Sequence, residues 1–149
     1  MSDQVQWQKF IIHHAASGGV HIETWDAIRR YHVLDNNWRD IGYHFGIGRD
    51  RNGKAVVFRG RPLSMMGSHC PNQNTVAIGI CFLGNYMEKE PDQDMIDCCA
   101  ALIVDLASDF NIDPTKVYPH KTFRATDCPG EKFDVNRVIE AVKTELEES

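Results

Sequence analysis

A histidine and a cysteine, His120 and Cys128, share the stretch YPHKTFRATDCPG with seven residues between them. Zinc favours imidazole nitrogen and thiolate sulfur, and a catalytic zinc usually takes three protein ligands and keeps one position open. Pro119 and Pro129 restrict the backbone beside the two residues, which stiffens the loop that presents them. A third ligand has to come from elsewhere. His13 and His14 close the apolar run FIIHH, which reads as a short strand. Strand side chains alternate, so the two imidazoles point to opposite faces and only one can reach a metal. His69 and Cys70, in GSHC, form a rival pair. Each of these residues also has a plain structural reading, since cysteine packs as a small apolar group and histidine often only hydrogen-bonds a loop. A Cys128 nucleophile with His120 as its base is a further reading. The sequence contains neither HExxH nor CxxC, and spacing alone leaves these alternatives open.

The elements that must position these residues are legible in outline. TWDAIRRYHVL predicts a helix capped by Thr24, with Ala27, Ile28, Tyr31 and Leu34 at helical spacing. YHFGIGRDRNGKAVVFRG predicts a hairpin, with Asn52-Gly53 supplying the two positive-φ positions of a type I′ turn. VAIGICFLG is apolar at both parities, as a central strand covered on both faces requires. PDQDMIDCCAALIVDLASDF predicts the longest helix. Met95, Ile96, Cys99, Ile103, Leu106 and Phe110 form its inward stripe, and Asp92 and Asp94 suit its N-terminal dipole. Cys98 fills the helix surface, and Cys81 packs in the central strand. DVNRVIEAVKTEL predicts a last helix capped by Asp134. Together these elements predict an α/β domain with a central mixed sheet and helices on both sides.

Composition narrows the functional classes. A net charge of −5 with neutral histidines disfavours a nucleic-acid binder, which carries a basic surplus. No apolar run approaches the length of a membrane span. The start MSDQVQWQKF lacks a basic segment followed by an apolar one, so the expectation is no signal peptide and synthesis in a cytoplasm. Five cysteines, an odd number without regular spacing, point to free thiols or a metal ligand and not to a disulfide framework. The length suits one domain over residues 1–149, with no internal repeat or linker.

Four stretches in order, FIIHHAAS, NWRDIGYHFGI, GSHCPNQNTVAIGICFLGNY and YPHKTFRATDCPG, resemble the type 2 zinc-dependent N-acetylmuramoyl-L-alanine amidases. That family includes phage amidase endolysins and the peptidoglycan-recognition proteins of animals. The resemblance runs from about Phe10 to the last helix. It implies that His13, the first histidine of the strand, is the third zinc ligand beside His120 and Cys128. It implies that Tyr43, in DIGYHF, lies beside the water at the metal. His44 faces away and stays structural. His69 and Asn74 match positions lining the family's substrate groove, while Trp38 is read as packing. Two residues before the ligand cysteine some phage enzymes carry lysine, and catalytic recognition proteins typically carry threonine. Here Thr126 stands at that place, and a hydroxyl is a weaker electrostatic partner for an oxyanion than an ammonium.

The implied reaction is zinc-assisted hydrolysis of the amide joining the lactyl group of N-acetylmuramic acid to L-alanine in bacterial peptidoglycan. Zn2+ is the implied cofactor, Tyr43 and Thr126 the implied catalytic side chains, and peptidoglycan the implied partner of a monomeric chain with no separate wall-binding domain. A phage or prophage endolysin, made in the bacterial host cytoplasm and acting on the wall after release, fits this reading. A recognition module that binds without cutting, a cytosolic recycling amidase, and a closed structural zinc site in an unrelated domain are the alternatives. The third ligand Cys128 favours catalysis over mere binding, and a fourth protein ligand would mark the structural site.

Overall fold

A computed structural model describes residues 6–148, so the first five positions and the last of the expected single domain lie outside the described residues. The organising strand is β4 (Ala77–Phe82), every residue of which is buried, as its unbroken apolar run requires. It pairs in parallel with β1 (Lys9–His14) on one side and β2 (Phe45–Arg49) on the other. β2 continues into the antiparallel β3 (Ala55–Arg59). On the far side of β1 lies β5 (Val117–Pro119), also parallel, giving the sheet order β3-β2-β4-β1-β5. β5 is short and contains a proline, which suits an edge strand that has no inward ladder bond to lose.

The two faces of this sheet differ in side-chain size. On one, Phe10 and Ile12 of β1, Phe45 and Ile47 of β2, and Ile78, Ile80 and Phe82 of β4 form a continuous apolar layer. Against it pack α2 (Gln93–Phe110) through Met95, Ile96, Cys99 and Ile103, and α3 (Asn136–Glu148) through Val138 and Val142. Each large side chain buried in this layer contributes roughly 1.5–3 kcal/mol. The opposite face carries Ala77, Gly79 and Cys81 of β4 and Gly46 of β2 beside Ile11 and His13 of β1. A Cβ at Gly46 would lie 2.6 Å from the Trp25 ring, so the missing side chain is what lets the indole lie on the strand. Trp25 belongs to α1 (Ile22–Arg30), which covers this second face. The expected mixed sheet with helices on both sides is the observed fold.

Four local expectations differ from the structure. The first helix is not capped by Thr24. His21 takes the N-cap position, and Thr24 N–H donates to the His21 carbonyl one turn inside the helix. After Arg30 the helix widens into a π-helical turn, Tyr31–Asp35. That change of period turns Tyr31 and Leu34 outward, and Leu34 is 73% exposed; Trp25 instead supplies the inward contact. The hairpin loop is not a two-residue type I′ turn either. Strands β2 and β3 are joined by five residues, Asp50–Lys54, and of Asn52 and Gly53 only Gly53 has a positive φ, +82°. The Asp50 carboxylate accepts from the N–H groups of Asn52 and Lys54, which fixes a longer turn in place of the tight one. Finally, Phe110 at the end of the α2 stripe is exposed.

The α2 N-terminus is tied to the sheet by Arg49 at the end of β2. Its guanidinium reaches Asp92 at 2.8 Å and Asp94 at 2.6 Å. No helix of the described residues is long and apolar enough to cross a membrane. All five cysteines are free thiols.

Candidate metal centre

His13, His120 and Cys128 reach one point from distant parts of the chain. His13 stands near the end of β1 on the face of small residues, with only 1% of its surface exposed. Because β5 pairs in parallel with β1, the chain leaves β5 beside His13, and the 3-10 turn His120–Thr122 begins there. The rings of His13 and His120 lie 4.4 Å apart. Cys128 returns in the following loop, where its carbonyl accepts from Lys121 N–H at 3.0 Å. Its sulfur accepts the backbone N–H of His14 at 3.4 Å and sits 3.8 Å from His13 Nδ1. The His14 ring is engaged elsewhere, with Nδ1 accepting from Tyr86 N–H at 3.1 Å.

One ligand atom from each of His13, His120 and Cys128 lies within 4.8 Å of the other two. A tetrahedral zinc with bonds of about 2.1 Å to nitrogen and 2.3 Å to sulfur sets N···S separations near ~3.6 Å. The observed 3.8 Å is close to that spacing. His120 Nε2 is buried without a hydrogen-bond partner, a state that costs roughly 1–3 kcal/mol unless a ligand occupies it. Burial holds His13 and His120 below the ordinary imidazole range, so both offer a lone pair at neutral pH. Burial pushes the Cys128 thiol up to about 11, although the His14 N–H pulls it down. At neutral pH such a thiol is a poor nucleophile, and a bound metal ion is what would ionise it. The donor set therefore fits zinc better than it fits a cysteine nucleophile. Among the described residues no fourth histidine, cysteine or carboxylate joins the cluster.

The other residues singled out by sequence fall around this point. Tyr43 is half-buried with its ring 5.0 Å from that of His13. Burial raises its pKa well above the usual phenol value, so it is a neutral donor. Thr126 is exposed, and its Oγ1 accepts from Cys128 N–H at 3.2 Å, a turn contact that braces the cysteine. His69 was expected at a substrate groove, but it is buried behind His13, and both its ring nitrogens are engaged. Nδ1 lies 2.8 Å from His13 Nε2, and Nε2 lies 3.0 Å from the Ala77 carbonyl. Burial pushes its pKa down to about 3, so the ring is neutral. Asn74 shapes the same loop, its Oδ1 accepting from the N–H groups of His69 and Cys70 at 2.9 Å each. Cys70, the rival ligand, packs against Ile11 and Ala77. His44 is buried, donating from Nε2 to the Met65 carbonyl and accepting at Nδ1 from Gly79 N–H. Trp38 packs on the His32 ring, with centroids 4.8 Å apart.

Two residues at the site had no individual signal in the sequence. Cys81, read as packing, lies beside His13 in strand register, in the buried cluster against which Tyr43 packs. His32 accepts from Gly42 N–H through Nδ1, and its ring lies 5.8 Å from Tyr43. Cys81 falls in a readable pattern, the small residues Ala77, Gly79 and Cys81 at alternate positions of β4, whereas His32 lies on the π-helical turn. A hollow of about 420 Å³ opens next to Tyr43, walled by Ala15, Ser17, Thr24, Ile28, Tyr31 and His32. The larger hollow of about 840 Å³ between β5 and α3 contains none of the three cluster residues.

Residues 3–131 match the protein family described as N-acetylmuramoyl-L-alanine amidase. Peptidoglycan-recognition protein LB of Drosophila melanogaster is 34% identical over 127 residues, which are 80% of this chain and 53% of that protein. The chain spans about half to two thirds of the length of the curated relatives it matches. Among solved structures it is similar to N-acetylmuramoyl-L-alanine amidase LysC from Clostridium intestinale URNW. The TM-score is 0.78 at 30% identity, covering 98% of this chain and 89% of the other. The endolysin amidase LysCS from the same organism gives a TM-score of 0.76 at 29% identity, covering 98% and 87%.

Proposed function

The chain belongs to the N-acetylmuramoyl-L-alanine amidase family, and from that premise we propose that it is a zinc-dependent amidase of bacterial peptidoglycan. Its substrate bond is the amide between the lactyl group of N-acetylmuramic acid and L-alanine of the stem peptide. The observation that carries this reading is the three-member cluster of His13, His120 and Cys128 with the buried, unpartnered His120 Nε2. A zinc ion bound there would polarise the amide carbonyl and lower the pKa of a water toward neutrality.

The chain's own residues supply the rest. The His14 N–H supports negative charge on the Cys128 sulfur. Tyr43, neutral and next to His13, can donate a hydrogen bond to the attacking water or pass a proton to the leaving amine. Thr126 uses its oxygen to accept from Cys128 N–H, which leaves the hydroxyl hydrogen to donate to an oxyanion. The hollow beside Tyr43 offers an uncharged wall of small and apolar side chains to the part of the substrate next to the amide.

A complete three-residue ligand set favours catalysis over recognition alone, and the absence of a fourth ligand among the described residues favours an open site over a structural one. The likeness to an endolysin amidase supports a lytic role, with synthesis in a bacterial host cytoplasm and action on the wall after release. Digestion of purified peptidoglycan by the wild type and by Cys128→Ala, with and without chelator, tests the activity. New L-alanine amino termini found by mass spectrometry should appear only with the wild type and zinc. Cleavage between sugars, or undiminished activity of the variant, would sink the proposal.

A further inference from the structure

His69 is buried, with 7% of its surface exposed, and its surroundings are fitted closely to it. A Cβ on Gly79 would lie 2.6 Å from its ring, and one on Gly67 would lie equally close. Two glycines on different elements therefore keep a slot open for this imidazole. Asn74 pins the backbone that carries it. The ring stands edge-on to His13, with planes at 87°.

The hydrogen bonds at this slot have one consistent solution. The Ala77 carbonyl can only accept, so the His69 Nε2 facing it carries the proton. A neutral ring protonated there has a bare Nδ1, which must accept. The atom 2.8 Å away is His13 Nε2, so that nitrogen holds the single proton of His13. His13 Nδ1 is left with its lone pair, and Nδ1 is the atom 3.8 Å from the Cys128 sulfur. In the opposite tautomer two lone pairs would face each other at the short contact, and an N–H would point into the ligand cluster.

We propose that His69 is a positioning residue of the metal centre: by accepting from His13 Nε2–H it fixes the tautomer and the ring orientation that present His13 Nδ1 as a ligand atom. The inference rests on the zinc reading above. A donor fixed by an outer hydrogen bond needs no tautomeric change when the metal arrives, and loss of such a partner typically weakens metal affinity by about 10- to 100-fold.

Zinc titration against a competing chromophoric chelator, on the wild type, His69→Leu and His69→Asn, tests this. The leucine fills the slot without an acceptor, and the asparagine keeps an oxygen near the position of Nδ1. The leucine variant should raise the zinc Kd about 10- to 100-fold, and the asparagine variant should stay within about threefold of the wild type. In the zinc-loaded wild type, 15N shifts of His13 should show Nε2 protonated and Nδ1 metal-bound. This spectrum decides alone if unfolding measurements show that the leucine variant does not fold. Equal zinc affinity of leucine variant and wild type, an asparagine variant as weak as the leucine one, or metal on His13 Nε2 would overturn the assignment. A wild type that binds no zinc would instead bring down the zinc reading itself, and this inference with it.

Discussion

The two faces of the β4 strand, one residue apart in sequence, are built to opposite rules. Ile78, Ile80 and Phe82 fill the layer beneath α2 and α3, where size and shape matter and no metal ligand sits. Ala77, Gly79 and Cys81 leave room on the other face, and rings occupy the space: Trp25 over Gly46, His69 over Gly79, Tyr43 against Cys81. The first face supplies burial energy through contact. The second gives up that energy to seat polar rings whose hydrogen bonds aim other groups. A stable layer on one side is what lets the thin side hold neutral buried imidazoles at a cost the fold can bear.

The division can be tested by adjacent substitutions. Ile80→Ala should cost about 2–5 kcal/mol of stability while leaving zinc affinity unchanged. Gly79→Ala should cost less stability but weaken zinc about tenfold or more by displacing His69. Urea unfolding and zinc titration on both proteins check this, and zinc loss in the isoleucine variant would erase the distinction. The second test is pH. His44 titrates near 6.5 when unfolded and is held down to about 4 by burial in the fold. The unfolded chain therefore binds the proton first, and stability present above pH 6.5 is lost as pH falls toward 4, by roughly 3 kcal/mol from this residue. Burial of His69 acts in the same direction. Unfolding of chelated protein across that window should show the slope, and His44→Gln should flatten it. Next in size is Tyr43→Phe, which should lower kcat about 100-fold with unchanged zinc affinity and unchanged melting, separating a group that acts in the reaction from one that seats the metal. The smallest effect belongs to Thr126→Val. Loss of one exposed hydroxyl contact should cost about 1 kcal/mol, roughly a fivefold drop in kcat/KM measured on muropeptides.

How much of this was legible beforehand follows the same division. The thick face was plain, because an unbroken apolar strand and a long amphipathic helix are local patterns. Three-residue β5 was not, since its pairing with β1 and not its own composition makes it a strand. The π-helical turn leaves no such mark, because Tyr31 and Leu34 keep regular helical spacing in the sequence. At the metal cluster, residue types alone left His13 and His14 equal, and only the family resemblance separated them. The structure brings His13 together with His120 and Cys128, and turns His14 toward Tyr86. The contact of His69 with His13 joins positions 56 apart in sequence, and no periodicity encodes such a pair.

The cluster also joins residues 115 apart, His13 on an inner strand and Cys128 on a loop beyond the edge strand. Contacts of such long range close late in folding, after the loop entropy between them has been spent. During synthesis on the ribosome, an emerging chain has its first ligand early and lacks its last until most of the domain has been made. Any metal held by this cluster would therefore be captured at the end of assembly, and its uptake would report that the sheet has closed in its final order.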